Sequence, residues 1–121
     1  MSEAHTTDAF AAGVDHFNAL RFWEAHEAWE SIWLEAAAED RSFYQGLIQL
    51  AAAYHHMKRG TFRGAVRLFG SAMERLSAFP ARFRGLDRAE AVAAAERHRD
   101  LARSGVSIDP DDYPKLALPR R

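Results

Sequence analysis

The chain has 121 residues, of which 48% are apolar, and it contains no cysteine. This length and composition predict a single domain with a full hydrophobic core, and they exclude disulfide scaffolds, thiolate metal sites and cysteine nucleophiles. No long apolar segment and no secretion-signal pattern is present, so we expect a cytoplasmic protein without a membrane span.

The formal net charge is −1, but the charges are unevenly distributed along the chain. Acids dominate residues 1–40 and bases dominate residues 58–88. The two segments either attract each other across neighbouring helices or leave a basic patch exposed. Nucleic-acid binding usually requires more net positive charge, so we do not predict a nucleic-acid partner.

Every clearly periodic segment predicts an α-helix, and no segment alternates as a strand would. The five predicted helices cover residues 8–20, 22–38, 42–59, 62–79 and 87–104. The connections between them are short, which makes successive helices antiparallel neighbours. The predicted fold class is therefore all-α, a compact antiparallel bundle of about five helices.

Residues with capping chemistry mark the expected helix ends. Side-chain caps at helix starts are predicted at Thr7, at Ser42 with Gln45, at Thr61, and at Asp87 with Glu90. Gly60 can end the third helix in the left-handed conformation. The segment 106–121 contains three prolines and predicts an extended tail. Four apolar residues of this tail are expected to dock on the bundle: Ile108, Tyr113, Leu116 and Leu118.

The second helix begins with "FWEAHEAWESIW", in which His26 and Glu30 lie one turn apart. A helical projection places this pair between one apolar group around Trp29 and a second around Trp23. Glu27 lies at the edge of the same stripe. We therefore expect the tryptophans, predicted to be core residues, to wall in an acid and a histidine.

The third helix carries no charged residue between Ser42 and Met57. Its polar residues fall almost entirely on one stripe formed by Gln45, Gln49 and His56. A solvent-facing helix usually carries charges, so this helix is predicted to be central. This row of three polar residues is expected to meet His26 and Glu30 inside the bundle, across a shared cavity.

Three interpretations of these stripes remain open. They form a hydrogen-bonded structural network, a pocket for a small polar ligand, or a metal or acid/base site. The third interpretation has limited support, because "HEAWE" is not the zincin motif and no second Glu-x-x-His segment exists for a di-iron site. We therefore predict no bound metal and no cofactor.

Two longer segments resemble a known family. "FNALRFWEAHEAWESIW" and "FYQGLIQLAAAYHHMKRGTFRGAVRLF" are similar to the small bacterial and archaeal proteins of domain-of-unknown-function family 309. The resemblance extends from Phe17 to Phe79, although Thr61 replaces the family's usual asparagine. It implies an all-helical domain with no assigned activity, and it supplies no catalytic residues. The family's motif positions fall on the same two stripes, which favours a site over a structural network.

The sequence thus predicts a module that binds a small ligand or a protein partner. The proposed ligand-binding residues are His26, Glu27, Glu30, Gln45, Gln49 and His56. The alternative is a metal-dependent or acid/base enzyme of hydrolase type, with Glu30 or Glu27 as base and His26 and His56 as ligands or proton shuttles. The sequence does not decide whether the chain is an enzyme, what its ligand is, or whether it forms homo-oligomers.

Overall fold

A computed structural model describes residues 3–117, with the side chains of residues 8–117. Five α-helices follow one another, with a short hairpin before the last helix and a 3-10 turn after it. The helices are α1 (Glu3–Asn18), α2 (Phe22–Trp33), α3 (Ala38–Arg59), α4 (Phe62–Leu76) and α5 (Arg88–Arg103). The hairpin pairs β1 (Arg82–Phe83) with β2 (Leu86–Asp87), and the 3-10 turn is Pro110–Asp112. The all-α bundle prediction is confirmed.

Several predicted helix bounds were wrong. Helix α1 begins at Glu3, so Thr7 lies within the helix and is not its cap. Helix α2 ends at Trp33 instead of residue 38, because Ala37 adopts an extended conformation with ψ 148° and interrupts the helix there. Helix α3 then begins at Ala38, and Ser42 lies inside it instead of opening a capping box. The local sequence does not indicate this break, since alanines favour a continuous helix.

The other ends agree better with the sequence. Gly60 ends α3 with φ 76°, in the left-handed region that suits glycine. The side chain of Asp87 accepts a hydrogen bond of 3.0 Å from the Glu90 N–H at the start of α5. Thr61 occupies the N-cap position of α4, but its side chain makes no capping hydrogen bond.

The hairpin was not predicted, and it follows the early end of α4 at Leu76 instead of residue 79. Two strands of two residues each are too short to produce an alternating pattern. Arg84 and Gly85 connect the strands, and both have positive φ, 52° and 81°. A two-residue connection of this kind matches the right-handed twist of the paired strands. Arg84 also reaches back to the start of α3, where its guanidinium pairs with both carboxylate oxygens of buried Asp40.

Successive helices pack against one another, and α3 lies at the centre between α2 and α4. Tyr54 of α3 is fully buried, with ring centroids 5.7 Å from Phe17, 5.4 Å from Phe22 and 4.9 Å from Phe69. Helices α1, α2, α3 and α4 therefore meet around one tyrosine. Burying such large rings is the main favourable contribution to this packing.

The tail docks on the bundle as predicted. Ile108 and Leu116 are buried, and Tyr113 packs 5.6 Å from the ring of Phe22. The side-chain amide of Asn18 donates to the Leu116 carbonyl and accepts from its N–H, both at 2.7 Å. These two bonds fix the tail to the end of α1. Leu118 and the rest of the tail to residue 121 lie outside the described residues.

Within residues 3–117, no helix is long and apolar enough to cross a membrane.

Candidate functional site

Helix α2 buries only one narrow face, formed by Phe22, Ala25, Trp29 and Ile32. The predicted second wall is absent, because Trp23 is 48% exposed and Leu34 is 69% exposed. Glu27 is exposed as well, and the side chain of Glu30 is 59% exposed. The prediction of a carboxylate enclosed by tryptophans was therefore wrong. The helix lies at the side of the bundle, so the residues between its two apolar groups lie at the edge of the interface.

His26, Glu27 and Glu30 form what we call the α2 stripe. His26 is its enclosed member, with 16% of its side chain exposed. Its ring stacks on Trp23, with centroids 4.7 Å apart and planes 11° apart. Its Nε2 lies 3.6 Å from a carboxylate oxygen of Glu30 one turn later. Its Nδ1 is buried and has no hydrogen-bond partner among the described residues. His26 thus offers one nitrogen to Glu30 and keeps the other unpaired.

Gln45, Gln49 and His56 form the α3 stripe, which lies along the groove between α3 and α4. Gln49 borders a groove of about 410 Å³ with Ser71 and Arg75. Gln45 borders a neighbouring groove of about 400 Å³, between Trp33 of α2 and Arg75 of α4. Neither of these two grooves includes His26, Glu27 or Glu30. The α3 stripe is thus largely covered by α4. The helical projections treated only the second and third helices, so they did not include the side chains of α4.

His56 completes the α3 stripe against the first turns of α4. Gly64 leaves the necessary space, since a Cβ there would lie 3.2 Å from Nδ1 of His56. The His56 Nδ1 and the side-chain oxygen of Gln49 are both buried without a hydrogen-bond partner among the described residues. The direct facing of Glu30 with Gln49, and of His26 with His56, stays a prediction.

The side chain that links the two stripes is His55, which the sequence analysis did not select. Its ring centroid lies 5.4 Å from Trp23 and 6.1 Å from His56. A line of four rings therefore runs from His26 through Trp23 and His55 to His56. Burial lowers the pKa of His55, and the positive charges of Arg59, His56 and Lys58 lower it further. Its ring consequently favours the neutral form, which can both donate and accept a hydrogen bond.

His98 is a second titratable residue that the sequence analysis missed. It is fully buried, and its Nδ1 lies 2.7 Å from the Tyr54 hydroxyl. The signal was present, because His98 follows Ala91, Ala94 and Ala95 at helical spacing on the buried face of α5. Its neighbours connect the core with the 3-10 turn, so we assign His98 to the structure and not to the candidate site.

Metal chemistry receives no geometric support from the described side chains. Among them, no three histidine, aspartate or glutamate side chains form a group that could hold a metal ion. His26 and Glu30 form a pair, but Glu27 is exposed and His56 lies against α4. The residues proposed for the metal-dependent alternative are therefore not brought together as a ligand set.

A comparison with known families finds a match that covers the residues of both stripes. The profile described as "Domain of unknown function (DUF309)" matches residues 10–68. The match begins seven residues before the resemblance noted in the sequence and ends eleven residues before its end. It includes the whole α2 stripe and the whole α3 stripe. No curated protein matches the chain.

Proposed function

We propose that this chain, which belongs through residues 10–68 to the DUF309 family, is a binding module for a small polar ligand. The binding residues are His26, Gln49 and His56, and the rings of Trp23 and His55 connect His26 to His56. Glu27, Glu30 and Gln45 lie at the edge of this region and contact only the outer parts of a ligand. We refer to the other five residues together as the polar stripe: Trp23, His26, Gln49, His55 and His56.

One observation carries the proposal. His26, Gln49 and His56 each keep one buried polar atom without a hydrogen-bond partner among the described residues. Native proteins satisfy the large majority of their buried polar atoms, because an unpaired one costs about 1–3 kcal/mol. Of the five such atoms among the described residues, three lie on the two stripes, and the other two belong to His98 and Arg99 of α5. The concentration of three on the two stripes supports a role in binding, where the ligand supplies the missing partners.

The chemistry of these atoms limits the ligand class. The Gln49 oxygen only accepts hydrogen bonds, whereas each histidine Nδ1 donates or accepts depending on its tautomer. The exposed part of Trp23 offers a flat apolar surface beside His26 and His55. A small planar molecule with amide or amidine groups would satisfy these atoms and stack on the indole.

An acid/base enzyme is the weaker candidate. The two glutamates proposed as catalytic bases are exposed to solvent, and neither is close enough to His56 for an ion pair. A general base must lie within hydrogen-bond reach of the proton it removes, in a site that positions the substrate. The polar stripe contains no carboxylate, and its amide and ring nitrogens suit hydrogen-bonded recognition better than proton abstraction.

A fragment screen tests the proposal. Thermal unfolding of the wild-type protein is measured with a library of small amides, amidines and aromatic heterocycles, and then with matched carboxylic acids. We expect a group of amide or amidine fragments to raise the unfolding temperature by mass action. The same fragments should lose this effect in Gln49→Leu and in His56→Phe, but keep it in His16→Phe, outside the stripe.

Two outcomes would overturn the proposal. The first is a screen in which no fragment stabilises the wild-type protein. The second is stabilisation that persists unchanged in Gln49→Leu and His56→Phe. If one variant fails to fold, the other and the comparison of amides with acids on the wild-type protein still decide the question.

A further inference from the structure

A further concave surface lies between the first half of α4 and the end of α5. It is a groove of about 620 Å³, within the size range of small-molecule sites. Its lining residues are Phe62, Arg63, Val66, Arg67, Ala102, Arg103 and Gly105. None of them belongs to the polar stripe. We call it the arginine groove.

The arginine groove combines an apolar floor with a cationic rim. Ala102 is buried, and Phe62 and Val66 are half-buried, packed at the margin of the core. Arg63 and Arg67 are exposed and one turn apart on α4, and Arg103 approaches from α5. Three guanidinium groups therefore surround a surface that is otherwise apolar.

The charges of this rim are poorly compensated. Among the described side chains, neither Arg63 nor Arg67 forms an ion pair. Arg103 lies 3.6 Å from Asp100 one turn earlier, but both side chains are exposed, and such pairs contribute little. The acidic segment of the chain does not neutralise the basic segment at this groove. Of the two interpretations of the charge distribution, an exposed basic patch fits these arginines.

The position of Arg63 is also unfavourable for helix α4. The first turn of α4 contains no acidic residue, and its N-cap makes no side-chain hydrogen bond. A helix N-terminus carries a partial positive charge, which favours anions and disfavours a nearby cation. Two like charges one turn apart add a further small repulsion. These cations therefore work against folding, and a bound anion would relieve them.

From these observations we propose that the arginine groove binds a small amphiphilic organic anion. Its apolar body lies on Phe62, Val66 and Ala102, and its carboxylate or phosphate head pairs with Arg63 and Arg67. Guanidinium groups suit this role, because they bind both kinds of head with two parallel hydrogen bonds. This inference does not depend on the proposed function, since it uses different residues on different helices.

The test compares three probes that separate the two parts of the ligand. Octanoate has the apolar body and the charge, octanol has the body alone, and acetate has the charge alone. Each is titrated into the full chain and followed by the methyl resonances of Val66 and Ala102. Octanoate should bind about tenfold or more tightly than either of the other probes, and added salt should weaken it.

Matched variants on one helix localise the effect. The double variant Arg63→Gln with Arg67→Gln should weaken octanoate binding about tenfold or more, while Arg75→Gln should leave it unchanged. Arg75 lies on the same helix but borders the α3 grooves. The denaturant midpoint of the double variant should equal or exceed that of the wild type, because the two substitutions remove uncompensated charge.

The proposal is overturned if octanoate gives no saturable binding, or if octanol binds as tightly as octanoate. It is also overturned if the double variant and Arg75→Gln have the same effect. The probe comparison on the wild-type protein decides the matter even if the double variant does not fold. Failure here would leave the fragment screen on the polar stripe unaffected.

Discussion

The Tyr54 hydroxyl lies 2.7 Å from Nδ1 of His98, and both side chains are fully buried between α3 and α5. On the other side of the ring, Nε2 of His98 lies 3.7 Å from a carboxylate oxygen of Asp112. The histidine therefore connects the central tyrosine of the core with the 3-10 turn of the tail. Any change in its protonation acts on both.

We predict that the free energy of unfolding decreases as the pH falls below about 6.5, the ordinary pKa of histidine. Burial lowers the pKa of His98, the charge of Arg97 adds to this, and Asp112 opposes it. The unfolded chain then binds a proton that the folded chain does not, so stability is present above the unfolded pKa and is lost toward the lower folded pKa.

His98→Gln should reduce this pH dependence. His55 also has a lowered pKa, so part of the dependence should remain. The measurement is urea unfolding at pH 7.5 and pH 5.5 for both proteins. An equal loss of stability in the wild type and in His98→Gln would contradict the role of His98.

The ion pair of Asp40 with Arg84 should hold the hairpin to the start of α3. Asp40 is buried at 9% side-chain exposure, whereas Arg84 is half exposed. Arg84→Ala leaves a buried carboxylate without its partner and should cost about 1–3 kcal/mol of unfolding free energy. Arg82→Ala, in the same hairpin, removes only an exposed bond to the Gly85 carbonyl and should cost less than about 0.5 kcal/mol.

The double variant of Asp40→Asn with Arg84→Ala should recover part of this loss, because the uncompensated charge is gone. Chemical denaturation of the four proteins gives the coupling energy. Additive losses would argue that the pair contributes nothing to the attachment of the hairpin.

Two glycines give opposite predictions for the same substitution. A Cβ at Gly13 would overlap the indole of Trp29, whose Nε1 donates to the Phe10 carbonyl at 3.2 Å. Gly13→Ala should therefore cost about 3 kcal/mol or more, from overpacking and the lost bond. At Gly70, in α4, a Cβ meets nothing within 4 Å, and Gly70→Ala should stabilise by about 0.5–1 kcal/mol. Thermal unfolding of both variants checks the pair, and equal shifts would refute the close packing of α1 on α2.

Glu30→Leu should change the unfolding free energy by less than about 0.5 kcal/mol, because the side chain is largely exposed and its pairing with His26 is weak. Denaturant unfolding at neutral pH measures this, with Asp15→Leu as an exposed control. A loss of more than about 1 kcal/mol would mean that Glu30 belongs to a structural network after all.

The helical bundle could be predicted from the sequence, because helix caps and apolar spacing depend on neighbouring residues. Gly60 and Asp87 act as caps through their own backbone and side-chain chemistry, and the apolar spacing of α3 reflects its central position. The break at Ala37 was missed, because the alanines around it favour a continuous helix. The single-domain organisation stays a prediction.

The site was harder to predict than the fold, for a physical reason. A helical projection gives directions around one helix but not the depth of its packing. Trp23 therefore looked like a core residue and is half exposed. Gln49 and His56 were predicted to share one stripe, but nothing in the sequence indicated that α4 would cover them. His55 was hidden for the same reason, as its neighbours on α2 are known only from the packing.

The most direct test of a binding role for the polar stripe is the ring-nitrogen NMR spectrum of the histidines during titration with a stabilising amide or amidine fragment. His26 and His56 should change their Nδ1 chemical shifts with one common affinity, because the ligand supplies the missing hydrogen-bond partners. His98, whose Nδ1 is already paired with Tyr54, is the internal control and should not change. Fragments that bind while the Nδ1 shifts of His26 and His56 stay constant would contradict the proposed function.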